Sequence, residues 1–247
     1  MSTRKNASKP TSPNKKGRKL DCLRTAFAVV DKVEEVVDEH NDGKFDEHIA
    51  KAKILLVGVD IAWFSHHAVN QVKETRKRKI IHICDTTFFN EIELSGGVEA
   101  AMKKLPKEWR SMSKIVIPIH RSHGNIVGHW SVCIVRPMAS RVDLFDSKSM
   151  STRGGDAYCL PKMKIFLEKM DSINRYKRIT SWILKKTTDI VTQGNEFDCG
   201  IFTCLYIYCA VNDFTIPIAM SKEEVFKFRK FVAIFAQRSH IRTLHNE

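Results

Sequence analysis

The chain has 247 residues, 43% of them hydrophobic, and a formal net charge of +13. That length suits one large domain or two small ones, and the apolar content is sufficient for a core. No apolar run approaches the roughly 18 residues that a membrane-spanning helix needs, so a membrane protein is not expected.

The charge is unevenly placed. Residues 1–20 contain Arg4, Lys5, Lys9, Lys15, Lys16, Arg18 and Lys19 and no acid, which is +7 of the total and leaves +6 for the rest. The same stretch is rich in Ser, Asn and Pro, so a disordered basic tail is expected. Such a tail can serve as a nuclear-localisation signal, a nucleic-acid contact or only a solubilising segment. It lacks the apolar centre of a secretory signal. Cysteines stand at 22, 84, 133, 159, 199, 204 and 209. That odd, irregular set suits a reducing compartment, the nucleus or cytoplasm, better than a disulfide scaffold. No CxxC or HxxxH pair occurs, and a helix would spread Cys199, Cys204 and Cys209 over different faces. Neither metal nor cofactor is expected.

In chain order, LRTAFAVVDKVEEVVD (23–38) places apolar residues at helical spacing, and HNDGKFD breaks the pattern. ILLVGVD (54–60) is ambiguous, IAWFSHHAVNQVKETRK predicts a helix from about 62, and IIHIC (80–84) predicts a strand. RKRK at 76–79 reads as a solvated loop or helix end. Three β-rich runs follow, at 114–120, 129–137 and 141–146. Helical patterns return at 161–173, 199–211 and 221–238, and the last opens with Ser221 and Glu224, a capping box. Helices thus flank a central block of strands. The expectation is an α+β fold with a mostly antiparallel central sheet, in one domain over residues 21–247.

The stretch TQGNEFDCG (192–200) puts a thiol at the mouth of the apolar helix IFTCLYIYCAV. A helix N-terminus favours negative charge, which suits a cysteine nucleophile as well as a packing residue. A nucleophile needs a base, and His129 precedes the alternating strand WSVCIV. Asp146 ends the next strand, LFD, 17 residues later. One strand, a turn and a return strand would bring the two side chains together at one edge of the sheet. Gln193, six residues before Cys199, supplies a candidate hydrogen-bond donor for an oxyanion.

The segments GHWSVCIV, DLFDSKS and QGNEFDCGIF together resemble the ubiquitin-like-protein proteases, the SUMO- and NEDD8-directed cysteine proteases of papain-like fold. That family carries His-Trp at a strand start, Asp followed by Ser, and Gln, five residues and Cys within Asp-Cys-Gly. Upstream, AWFSHHAVNQ and TTFFNEI match a family helix and Phe pair, with Phe64 for the family's Leu and His66 near the place of its Asp. The resemblance implies Cys199 as nucleophile, His129 as proton carrier and Asp146 as its orienting acid. It makes Gln193, with the backbone N–H of Cys199, the oxyanion hole. Trp63 and Trp130 would flank a channel for a Gly-Gly tail, and Asp198 would be structural. The implied partner of this monomer is a ubiquitin-like modifier, SUMO before NEDD8 or ubiquitin, cleaved from precursors or conjugates. Because other enzymes share the His-Asp-Cys order, an acyltransferase and an inactive modifier-binding module are the alternatives.

Overall fold

The alternating apolar runs in the middle of the chain pair into a five-stranded sheet. The computed structural model describes residues 22–31, 61–62, 64–66, 68, 80–94, 96–123, 126–148, 155–173 and 181–244. Its strands β1 (Ile81–Ile83), β2 (Lys114–His123), β3 (Ile126–Arg136), β4 (Arg141–Phe145) and β5 (Ile183–Lys186) lie across the sheet in chain order. β2, β3 and β4 form the expected antiparallel centre. β1 and β5 add a parallel strand at each edge. Parallel neighbours need a crossover, and helices supply it on both sides.

Those helices are residues 22–31 (α1), Phe88–Glu93 (α2), Gly97–Lys104 (α3), Gly155–Ile173 (α4), Cys199–Asn212 (α5) and Lys222–Leu244 (α6). Residues 61, 62, 64–66 and 68 are also helical. The strand period of two then divides the core into two layers. Trp130, Val132 and Ile134 of β3 pack with α5, α1 and α6, whereas Cys133 and Val135 pack with α2 and α4.

α5 is buried from Cys199 to Val211, which fits a helix apolar on every side. Phe64, Phe228 and Phe231 pack around its Tyr208, with Tyr208 and Phe231 meeting edge to face at 5.1 Å. The Cys22 and Cys209 thiols meet at 2.8 Å, joining α1 to α5. At the far end Lys114 donates to the carbonyl of Ala210 and pairs with Asp213. A cation there offsets the negative end of the helix.

Several elements differ from their sequence-based expectations. α4 begins at Gly155, not Pro161, because Cys159 is buried beside Met163 and extends the apolar stripe upstream. Pro161 sits inside the helix and withholds an N–H from Ala157. β5 was not anticipated. Trp182, just before it, stacks on Trp109 at 6.3 Å and donates its indole N–H to Asp171 of α4 at 2.9 Å. α6 runs on to Leu244, and its capping box forms as read, with Glu224 N–H on Ser221 Oγ and Ser221 N–H on Glu224 Oε2. No described helix is long and apolar enough to cross a membrane.

Tyr206, fully buried on α5, donates its hydroxyl to the carbonyl of Val191 at 2.5 Å. The Val191 N–H in turn donates to the carbonyl of Pro217 at 2.7 Å. These bonds fasten the chain that leads to Gln193. Tyr206→Phe strands a buried acceptor, so urea unfolding should show a loss of about 1–3 kcal/mol with an unchanged m value. A variant within about 0.5 kcal/mol of the parent, the scatter of an ordinary surface substitution, would contradict this anchoring.

Candidate active site

The approach to α5 is set by a short polar turn. Asn195 Oδ1 accepts the N–H groups of Phe197 (3.1 Å) and Asp198 (2.9 Å), an Asx turn that steers the backbone into the helix. The Asp198 carbonyl then accepts the N–H of Phe202 at 3.0 Å, and Cys199 becomes the first residue of α5. The Asp198 carboxylate does not stand unmatched beside the sulfur. It accepts from Asn195 Nδ2 at 2.6 Å and pairs with Arg229 of α6.

His129 lies on β3 and Asp146 directly follows β4. The register of the hairpin, with Val132 opposite Phe145, carries both to the same end of the sheet. Nε2 of His129 meets Oδ1 of Asp146 at 2.6 Å. Arg121 of β2 stands opposite His129 in register and therefore projects to the same face. Its Nη2 donates to Oδ2 of Asp146 at 3.1 Å, and the Lys148 N–H donates to Oδ1 at 3.0 Å.

Burial alone would raise the Asp146 carboxyl, but the hydrogen bond from His129, helped by Lys148 N–H and Arg121, holds it below its ordinary value. An ionised Asp146 accepts only, so Nε2 carries a proton. Nδ1 is buried without a completed hydrogen bond, and the neighbouring group that acts on this ring is the Cys199 thiol. Burial would lower His129, yet Asp146 and Cys199 raise it above the usual imidazole. Burial would likewise raise Cys199, but His129 and the backbone of Trp130 and Gly200 bring it below an ordinary thiol. The two shifts point the same way, toward thiolate and imidazolium.

Gln193 lies half-buried on the loop before α5. It is tied to Ser147 by backbone and side chain and to the Asn195 carbonyl. Trp130 is only 4% exposed and belongs to the core that contains Cys199. His120 lies over its indole with ring centroids 4.4 Å apart. Gly128 makes room for that tilted ring contact, because a Cβ there would come within 2.0 Å of His120 Nε2. Trp63 lies outside the described residues. Among the described residues no group of three or more His, Cys, Asp or Glu is placed to hold a metal ion.

Sequence reasoning thus named the three groups that meet, and it missed four that hold them. Arg121 could have been found by drawing the hairpin register, and Asn195 by its place three residues before Asp198. Ser147 is visible only as the Ser that follows Asp146 in DLFDSKS, with nothing local to point it at Gln193, and Arg229 leaves no local signature.

Residues 60–240 match the Ulp1 protease family, C-terminal catalytic domain. Sentrin-specific protease 5 of the mouse is 24% identical over 174 residues, covering 68% of this chain and 22% of its own. The chain therefore spans about a fifth of the length of that curated relative. The Ulp1-like SUMO protease catalytic domain of Chaetomium thermophilum shares the fold at a TM-score of 0.58 and 20% identity, covering 75% of this chain and 74% of its own. The yeast Ulp1 protease domain solved with Smt3 does so at 0.55 and 18%, covering 76% and 79%. With a family match over nearly three quarters of its length, the protein belongs to the Ulp1 protease family.

Proposed function

We propose that this chain is a thiol protease that cleaves after the C-terminal Gly-Gly of a ubiquitin-like modifier, with SUMO as the preferred modifier. The observation that carries this reading is the Cys199 thiol at a helix start, facing an imidazole that a buried carboxylate holds at 2.6 Å. In the reaction the Cys199 thiolate attacks the carbonyl carbon of the terminal glycine, and the carbonyl oxygen takes up the negative charge. The Cys199 N–H and Gln193 stabilise that oxyanion. His129 donates its proton to the leaving amine, whether a lysine side chain or a peptide N-terminus, and a thioester remains. A water molecule, deprotonated by His129, attacks the thioester, releases the modifier's carboxylate and restores the thiolate and the imidazolium. Trp130, with Trp63, flanks the Gly-Gly tail, where a flat channel leaves little room for a β-carbon. The choice of SUMO is supported by relatives described as sentrin-specific proteases and as a SUMO protease domain.

In this reading residues 21–247 form the catalytic domain and the basic residues 1–20 direct nuclear accumulation. Deleting residues 1–20 from the tagged chain should abolish accumulation in nuclei while leaving cleavage of a soluble substrate unchanged. A full-length protein that stays cytoplasmic would remove the nuclear assignment.

SUMO, NEDD8 and ubiquitin carrying a C-terminal electrophile distinguish the possible partners directly. SUMO should be trapped fastest, and Cys199→Ala should abolish both trapping and cleavage while retaining SUMO binding. Faster trapping by NEDD8 or ubiquitin would reassign the modifier. Binding with no trapping by the parent would make the chain a modifier-binding module, and transfer of the acyl group to an added amine in place of hydrolysis would make it an acyltransferase.

The shifts at the site also fix a pH dependence. Thiolate is lost as pH falls through the lowered Cys199 pKa, and imidazolium as pH rises through the raised His129 pKa, so activity should be bell-shaped, with an acid limb set by Cys199 and an alkaline limb set by His129. Asp146→Asn removes the charge that raises His129 and, through it, lowers Cys199. Alkylation of Cys199 by iodoacetamide should therefore have its midpoint below the ordinary thiol value of about 8.5 in the parent and move upward in Asp146→Asn. An unmoved midpoint would mean that another group sustains the thiolate.

A further inference from the structure

We propose that Ser147 is a positioning residue that fixes the orientation of the Gln193 amide and so presents one amide N–H to the oxyanion. The proposal rests on reading Gln193 as an oxyanion donor. The two ends of a glutamine amide have nearly the same shape, and only their partners decide which end is oxygen. One end meets the carbonyl of Asn195 at 2.5 Å. A carbonyl can only accept, so that end must be Nε2. The other end is then Oε1, an acceptor, and the Ser147 hydroxyl facing it at 2.5 Å must donate. Ser147 is only 1% exposed, which leaves little room for water to substitute for that hydroxyl.

The same residue holds the loop a second time, because the Gln193 backbone N–H donates to the Ser147 carbonyl at 3.0 Å. Lys148 adds an ion pair to Glu196 across the same two segments. Of the two Nε2 hydrogens one is committed to Asn195, and the second is engaged by no described residue. Ser147 directly follows Asp146, which holds His129. One dipeptide at the end of β4 therefore sets both the proton carrier and the oxyanion donor. Losing the hydroxyl would free Oε1 and let the amide rotate away from a productive direction, while Asn195 and the backbone bond would still hold the loop.

A double-mutant cycle on the full chain tests this, with a SUMO precursor as substrate. Gln193→Ala alone should lower kcat by roughly 10² to 10³ with KM little changed, the usual loss for one oxyanion donor. Ser147→Ala should lower kcat by about tenfold, the worth of one hydrogen bond, again with KM unchanged. The double variant should be no slower than Gln193→Ala, since a residue acting only through Gln193 has nothing left to position. Ser147→Thr, which keeps the hydroxyl, should recover most of the parent kcat. The alkylation profile of Cys199 should be the same in parent and Ser147→Ala, because it reads the Cys199–His129 pair and not the oxyanion hole. A Ser147→Ala effect that adds fully to that of Gln193→Ala would overturn the proposal, as would a silent Ser147→Ala beside a slow Gln193→Ala. A silent Gln193→Ala would instead show that Gln193 is no oxyanion donor, removing the reading on which the proposal stands.

Discussion

A carboxylate buried at the end of a sheet must be kept ionised by its neighbours, and the arrangement around Asp146 depends on that. Desolvation opposes the charge, while His129, Arg121 and the Lys148 N–H together outweigh it. The side chains of Arg121, His129 and Asp146 form a row from β2 through β3 to the end of β4, so the sheet itself sets their spacing. Breaking one such buried partnership leaves an uncompensated charge, which costs more than the intact pair contributes. From the ionised Asp146 follow the tautomer of His129, the nitrogen it turns toward sulfur and the direction of the Cys199 shift.

The second support comes from the other side of the molecule. α5 is buried from Cys199 to Val211, so its first residue is held within the close-packed core. The cost of this arrangement is an acid, Asp198, immediately before Cys199 in the chain, and Arg229 of α6 compensates it. α6 thus stabilises the site electrostatically as well as closing the aromatic core around Phe231 and Tyr208. Cys199 and His129 arrive from a helix and a strand that pack together in one apolar layer, with Trp130 and Cys199 in the same cluster.

What could be read from the sequence was whatever local pattern encodes. The β2–β3–β4 meander, the buried α5 and the capped start of α6 all carry strong periodicity or a capping signature. His129 and Asp146 were legible together because an alternating hairpin brings strand ends 17 residues apart to one edge. β5 was not legible, since ILKK is four residues long and its place is set by Trp182 against Asp171 and Trp109. The start of α4 was misplaced because Pro161 imitates a first-turn proline while the apolar stripe begins before it. Ser147 reaches Gln193 across 46 residues, and Arg121 reaches Asp146 across 25. Such contacts exist only once the fold is made.

The buried Asp146 favours a charged His129 opposite a Cys199 thiolate. A titration of the His129 ring followed by nitrogen-15 NMR reads that charge directly. The ring should keep both protons above the ordinary histidine value of about 6.5, with the Nε2 proton in hydrogen bond to Asp146. A ring that titrates at or below that value, with a neutral thiol beside it, would contradict the account.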